Sequence, residues 1–142
     1  MTIVRAALPQ LELARQAVRE VHGRTSLGQS ALEEFLSDPA HYLLLAVENS
    51  RPIGSLNGYA LKKPHRSEPE FFLYEIDVRP ECRNRGIGKR LVNRFVVEAR
   101  SAGASDVWVL TNQSNGPAMA MYERCGLRRL NRDDACWQMT LH

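Results

Sequence analysis

The chain has 142 residues, of which 44% are hydrophobic and 25% are charged. This composition supports one hydrophobic core, so we expect a single domain over residues 1–142, and the apolar runs are too short to cross a bilayer. The formal net charge is +3, and it lies wholly after residue 70, because residues 1–70 contain eight basic and eight acidic side chains. This excess of positive charge is not accompanied by the displayed aromatic residues or the long basic arm of a nucleic-acid-binding module. We therefore expect neither a nucleic-acid nor a membrane partner.

The cysteines and histidines do not indicate a disulfide or a metal site. The three cysteines are odd in number, and neither they nor the four histidines show paired metal-ligand spacing. The N-terminus lacks the charged-then-apolar order of a secretion signal. We therefore expect a soluble cytoplasmic protein with reduced cysteines and no metal.

In chain order, the N-terminal part predicts a strand followed by two helices. Residues 3–6 predict a short strand, and apolar side chains at helical spacing predict a helix over residues 9–21 that ends at Gly23. Residues 28–36 predict a second helix, which ends before Pro39.

The rest of the chain predicts a sheet with further helices. Strands over residues 42–48, 53–61 and 71–78, the last preceded by a polar loop over residues 62–70, predict an antiparallel meander. The remaining predicted elements are a helix over residues 89–102 capped by Gly103, a strand over residues 107–110, a helix over residues 117–124 and a closing strand over residues 135–141. This order predicts an α/β (α+β) fold with a mixed, mostly antiparallel central sheet flanked by helices.

A glycine turn, Arg-Asn-Arg-Gly-Ile-Gly-Lys over residues 83–89, joins the strand over residues 71–78 to the next helix. The first amides of a helix lack backbone acceptors, so this junction predicts an anion site, with phosphate the obvious ligand. The basic residues around the turn are Arg79, Arg83, Arg85, Lys89, Arg90 and Arg94. For the turn alone, a helix start with a solvated basic face remains an equal alternative.

Two common phosphate-binding patterns do not fit this turn. A P-loop requires Ser or Thr after Gly88-Lys89, where this chain has Arg90. A dinucleotide fingerprint requires a third glycine where Leu91 stands. A nucleoside triphosphatase and a Rossmann domain are therefore disfavoured.

Two segments resemble the motifs of the GNAT acetyltransferases. Residues 83–88 match Arg-x-x-Gly-x-Gly, and residues 115–127 resemble Asn-x-x-Ala-x-x-x-Tyr-x-x-x-Gly-Phe, with Leu127 in place of the aromatic residue. The resemblance extends over residues 43–127. It implies the GNAT fold, a sheet that splays at the acetyl-CoA site, acetyl-CoA as cosubstrate, and a homodimer.

The same resemblance implies a set of cofactor-binding residues. Main-chain groups of Ile76 and Val78 would bind the pantetheine arm, and the Val78 amide would polarise the thioester carbonyl. Asn115 would bond the pantetheine or a water, and Tyr122 would be the general acid toward the departing thiolate. The full implied set is Ile76, Val78, Arg83, Asn84, Arg85, Gly86, Ile87, Gly88, Lys89, Asn115 and Tyr122.

Two carboxylates precede the turn. By the alternation of a strand, Glu75 and Asp77 share one face, and Tyr74, Ile76 and Val78 share the other. An amine must be neutral when it attacks, so a carboxylate has to accept its proton; Glu75 is the first candidate and Asp77 the second. The alternative is a pair of acids on a solvent-exposed face.

The acceptor prediction depends on a second resemblance. Residues 59–64 and 71–78 resemble the aminoglycoside 3-N-acetyltransferases, which have a tyrosine-bearing strand, a loop with Pro and Lys, and a Tyr-Asp-Leu-Ala-Val ending. This implies that Glu75 serves the reacting amine, although Glu75 is longer than the family's Asp and Asp77 replaces a small residue. A cationic acceptor also favours an acidic mouth, for which Glu33 and Asp134 are further substrate-binding candidates.

The favoured function is therefore acetylation of the 3-amino group of a gentamicin-type aminoglycoside, which would confer antibiotic resistance. Acetylation of a protein N-terminus, a lysine or a polyamine stays open, because the cofactor half of the chain would be the same. A noncatalytic acetyl-CoA sensor also stays open, although a sensor needs neither Glu75 nor Tyr122.

Overall fold

A computed structural model gives the structure of the protein and describes residues 1–24 and 29–141. The strands are β1 (Thr2–Arg5), β2 (His41–Glu48), β3 (Arg51–Lys63), β4 (Arg66–Val78) and β5 (Asp106–Val109). They form one sheet in the order β1-β2-β3-β4-β5, in which the first four are antiparallel and β5 is parallel to β4. The predicted mixed, mostly antiparallel sheet is confirmed.

In the described part of the chain, four α-helices flank the sheet: α1 (Leu11–Glu20), α2 (Gln29–Ser37), α3 (Ile87–Ser101) and α4 (Gly116–Arg124). Short 3-10 turns at Leu8–Gln10 and Pro80–Cys82 precede α1 and α3. The predicted start of the second helix at Gly28 lies outside the described residues. None of the helices in the described part of the chain is long and apolar enough to span a membrane.

Strand β2, which lies between β1 and β3, contributes to two layers of the core because its side chains alternate between the two faces of the sheet. Leu44 packs with Leu91 and Phe95 of α3, and Tyr122 of α4 joins that layer. The next residue, Leu45, packs on the opposite face in the layer formed with α1 and α2. The sheet is therefore covered by helices on both faces.

The predicted loop over residues 62–70 is wrong, because β3 and β4 continue through it as a hairpin that pairs Lys63 with Arg66. Glu70 forms ion pairs with Lys63 and with Arg66, the latter at 2.8 Å. The segment is polar because this part of the hairpin faces solvent, and polarity alone does not distinguish an exposed hairpin from a loop.

The predicted closing strand over residues 135–141 is also wrong. The described segment 128–141 contains neither helix nor strand, and Trp137, Met139 and Leu141 are 91%, 81% and 79% exposed. The sequence pattern that predicted the strand is local, whereas a strand forms only where a neighbouring strand accepts its hydrogen bonds. The sheet in this structure ends at β5.

Candidate active site

A cavity opens where the parallel strands β4 and β5 separate. Their pairing ends at Leu73 and Val109, and beyond these residues lies an open cavity of about 250 Å³. Four residues singled out from the sequence line this cavity: Glu75 and Ile76 on β4, and Asn115 and Tyr122 on α4 or at its start. The structure thus brings residues of β4 and of the segment 115–127 together where β4 and β5 separate.

A β-bulge in β4 determines which way Glu75 points. Leu73 pairs with Gly58 and Glu75 pairs with Asn57, so Tyr74 is an extra residue on β4. Leu73 is buried in the layer packed on α3, and without the bulge a period of two would direct Glu75 into that layer. The bulge instead turns Glu75 toward the face covered by α1.

The bulge also corrects one sequence expectation. Tyr74 was expected to share a face with Ile76, but its ring lies 5.8 Å from the ring of Tyr59. Tyr59 in turn contacts Phe35 of α2, so Tyr74 lies on the α1 and α2 face. Ile76 packs against the α3 layer as expected. Strict alternation failed because the inserted residue shifts the period by one.

The Glu75 carboxylate is partly buried, with 24% of the side chain exposed, and has three polar neighbours. Oε1 accepts a hydrogen bond from Arg24 at 2.7 Å, and Oε2 accepts one from Asn57 Nδ2 at 3.3 Å. His22 Nδ1 lies 3.5 Å from Oε1. Glu75 is therefore positioned by groups from β3 and from the segment after α1, and sequence reasoning missed both His22 and Arg24 because they lie far from Glu75 in the chain.

Asp77 lies in a different environment from Glu75. Its Oδ1 accepts hydrogen bonds from the Val78 N–H at 2.8 Å and from Arg83 at 3.4 Å, and 40% of its side chain is exposed. Asp77 is therefore tied to the glycine turn, whereas Glu75 lines the cavity. The bond to Asp77 also occupies the Val78 N–H, the donor expected to polarise a thioester carbonyl.

Tyr122 is buried beside the cavity, with 8% of the residue exposed. Burial raises the pKa of its hydroxyl, and nearby Cys125 adds to the increase. The phenol therefore remains protonated at neutral pH. At the start of the same helix, Asn115 Oδ1 accepts from the Ala118 N–H at 3.2 Å, so Asn115 caps α4 and keeps its amide NH₂ for another partner.

The glycine turn fits an anion. Asn84 and Gly86 adopt positive φ angles of 60° and 75°, and the first helical hydrogen bond of α3 runs from the Arg90 N–H to the Gly86 carbonyl at 3.1 Å. The amides of Ile87, Gly88 and Lys89 therefore have no acceptor inside the helix.

Glycine is needed at the two positions of the turn for different structural reasons. Gly86 has open space around its Cβ position and is required by its left-handed backbone. A Cβ on Gly88 would instead lie 2.7 Å from Met121 Sδ, so Gly88 allows α4 to pack closely on α3. This packing places α4, which carries Tyr122, against α3.

The basic residues around the turn are less available than the sequence indicated. Arg79 is 5% exposed and forms an ion pair with Glu20, so it joins α1 to β4 and does not face an anion. Arg85 pairs with Glu48 at 2.7 Å. Arg83 donates to the Val78 carbonyl at 3.1 Å. The anion-binding capacity therefore rests more on the backbone amides than on free side-chain charge.

The other two substrate-binding candidates lie outside the cavity lining described above. Glu33 is half-buried on α2. Asp134 is exposed in the segment after α4, and its Oδ1 accepts from Asn131 Nδ2 at 3.3 Å. Their part in an acidic mouth stays a prediction. Residues 1–24 and 29–141 hold no group of three His, Cys, Asp or Glu side chains suited to a metal ion.

The chain belongs to the acetyltransferase (GNAT) family, whose model matches residues 9–127. It is 30% identical to a mycothiol acetyltransferase of Pseudarthrobacter chlorophenolicus over 72% of this chain and 32% of that protein. It is 31% identical to a streptothricin acetyltransferase of Streptomyces lavendulae over 61% of this chain and 46% of that protein. The chain thus spans less than half the length of these relatives.

The fold is also shared with solved structures. An aminoglycoside acetyltransferase from an uncultured soil metagenomic sample, in complex with trehalose, superimposes with a TM-score of 0.84. The two sequences are 19% identical, and the match covers 98% of this chain and 95% of the other. The GNAT fold expected from the motifs is confirmed.

Proposed function

We propose that this chain is an acetyl-CoA-dependent N-acetyltransferase that acetylates a primary amine by direct transfer. The observation that supports it most is that Glu75 and Tyr122 both line one cavity where β4 and β5 separate, and that burial keeps the Tyr122 phenol protonated. Such a pair can accept a proton from an attacking amine and supply one to a leaving group.

The chain has the groups to hold acetyl-CoA. The free amides of Ile87, Gly88 and Lys89 suit a phosphate. The edge of β4 past Leu73, which β5 no longer pairs, suits an extended pantetheine arm beside Asn115. When bound there, acetyl-CoA would supply an activated acetyl thioester.

Two side chains of the protein would carry out the two proton transfers of the reaction. Glu75 binds an ammonium group and takes its proton, which leaves the nitrogen lone pair free to attack. Tyr122 holds a proton at its hydroxyl for the departing sulfur. The Val78 N–H can donate to a carbonyl oxygen once Asp77 Oδ1 releases it.

The favoured acceptor is the 3-amino group of a gentamicin-type aminoglycoside, with antibiotic resistance as the consequence. It is supported by the resemblance of β3 and β4 to aminoglycoside 3-N-acetyltransferases and by the carboxylates Glu75 and Asp77, which suit a cationic substrate. A solved structure of an aminoglycoside acetyltransferase in complex with sisomicin, at a TM-score of 0.83, shares the fold. Peptide N-termini, lysines and polyamines are the competing acceptors.

The test measures thiol release from acetyl-CoA with gentamicin, kanamycin, spermidine, a lysine peptide and a peptide with a free N-terminus. Selective turnover of gentamicin, with the product acetylated at the 3-amino group, supports the aminoglycoside proposal. If only the peptides or spermidine are acetylated, the acetyltransferase proposal stands and the aminoglycoside acceptor is rejected. Binding of acetyl-CoA without turnover of any amine favours a sensor.

A further inference from the structure

His22 is a buried histidine beside Glu75. It follows α1, only 6% of its side chain is exposed, and its Nδ1 is 3.5 Å from Glu75 Oε1. Among the residues that the structure describes, neither ring nitrogen has a hydrogen-bond partner. Burying an imidazole whose nitrogens have no hydrogen-bond partner lowers the stability of the fold. Its position beside the carboxylate of a cavity-lining residue therefore indicates a functional role.

Within residues 1–24 and 29–141, the charged groups that act on His22 are two carboxylates and one guanidinium. Glu75 and Asp77 approach from β4, and Arg24 approaches from the segment that follows His22. Burial lowers the pKa of His22, while the two carboxylates oppose that effect. The imidazole is therefore neutral at neutral pH, and the carboxylates would stabilise the cation if a proton arrived.

We propose that His22 is the second proton acceptor of this site, receiving from Glu75 the proton that Glu75 takes from the acceptor amine. This inference rests on the proposed N-acetyltransferase function. The N–H bond of the ammonium breaks as an O–H bond forms on Glu75. That O–H bond then breaks as an N–H bond forms at His22 Nδ1, which restores the carboxylate and leaves an imidazolium.

The arrangement around Glu75 Oε1 supports this order. Arg24 donates to the same oxygen at 2.7 Å, and 57% of the Arg24 side chain is exposed. A cationic substrate that displaces Arg24 would therefore free Oε1 for His22. An imidazole is ordinarily more basic than a carboxylate, so a proton on the carboxylate can pass to the imidazole. Burial lowers the pKa of His22, which helps the imidazolium to release that proton again. His22 acts through Glu75 and is a positioning and proton-relay residue.

The first experiment needs no enzymatic activity. NMR titration of the His22 ring, assigned by the signal missing from His22→Gln, would compare the wild-type protein with Glu75→Gln. Loss of the adjacent carboxylate should lower the pKa of His22 further. Glu70→Gln, the same change on the same strand, should leave it unaltered because Glu70 pairs with Lys63 and Arg66. An unaltered His22 titration in Glu75→Gln would overturn the proposal.

The second experiment uses whichever amine is acetylated. His22→Gln should lower kcat roughly tenfold or more and change the pH dependence of kcat, with KM for acetyl-CoA unaltered. His41→Gln is the matched control, because His41 lies on the same sheet face, stacked 4.7 Å from Phe35. A folded His22→Gln protein with a wild-type pH profile would refute the relay.

The two experiments separate the relay from the proposed function. A protein that acetylates none of the amines, yet shows the coupling of His22 to Glu75 by NMR, would reject the enzyme assignment and leave the contact established. A protein that acetylates an amine without that coupling would reject the relay alone.

Discussion

Glu75 is the residue on which the proposed chemistry depends most directly. Asn57 and Arg24 each donate to one of its two oxygens, so the carboxylate is oriented before any substrate enters. Exchange of Glu75 for Gln removes the base with little change in side-chain shape, but the single carbonyl oxygen of glutamine can accept from only one of these two donors.

Glu75→Gln should therefore lower kcat/KM by roughly a hundredfold and flatten the rise of the rate with pH, because the group that takes the amine proton is gone. Steady-state kinetics across the pH range would measure both effects. Asp77→Asn is the control and should have a smaller effect, since Asp77 is bound to Arg83 and Val78. A Glu75→Gln enzyme with the wild-type profile would show that Glu75 is not the base.

Tyr122→Phe should slow turnover more than it weakens acetyl-CoA binding. The substitution removes only the hydroxyl and keeps the ring, which is packed in the core layer with α3. Comparison of kcat with the Kd for acetyl-CoA would test this expectation. Tyr74→Phe, at another tyrosine that lines the same cavity, should retain kcat. Equal losses in both variants would argue against a specific acid role for Tyr122.

At the scale of elements, the site depends on how closely α4 packs on α3. Gly88 leaves no room for a Cβ beside Met121 Sδ, and Met121 precedes Tyr122 on α4. A displacement of α4 would therefore move Tyr122 relative to β4. The bulge in β4 likewise positions a site residue on the β4 side of the cavity, because it turns Glu75 out of the core layer packed on α3.

Gly88→Ala should destabilise the protein by about 1 kcal/mol, at the low end for overpacking because the flexible Met121 side chain can move, and should also lower kcat. Thermal or denaturant unfolding with parallel kinetics would measure both. The double variant Gly88→Ala with Met121→Ala should recover part of the loss. Gly116→Ala at the start of α4, with open space around its Cβ position, should cost much less, and equal costs would contradict the packing argument.

At the scale of the whole molecule, a buried histidine links stability to pH. Burial lowers the pKa of His22 below its usual value of 6.5, so the unfolded chain binds that proton more tightly than the folded protein. The contribution of His22 to the free energy of unfolding is therefore fully present above pH 6.5 and is lost as pH falls through the lowered folded pKa.

His22→Gln should flatten this part of the stability profile. Denaturant unfolding at a series of pH values from neutral to mildly acidic would compare the two proteins, with His65→Gln as a control at an exposed histidine. Parallel curves for wild type and His22→Gln would show that His22 titrates alike in both states.

The sequence by itself determined what is local. Helical spacing predicted the helices, and the glycine turn with its helix start predicted an anion site, because capping and periodicity act between neighbours in the chain. The motifs over residues 83–88 and 115–127 predicted the family that the comparisons confirm.

Only the tertiary structure decided what depends on contacts between distant residues. The bulge that turns Glu75 is set by its register with β3, and the contact of Glu75 with Arg24 joins residues 51 positions apart. The sequence over residues 135–141 predicted a strand that the structure does not form, because pairing requires a partner edge that a local pattern cannot specify. Sequence patterns report which surfaces a segment can bury, whereas register and long-range packing determine which groups meet at the site.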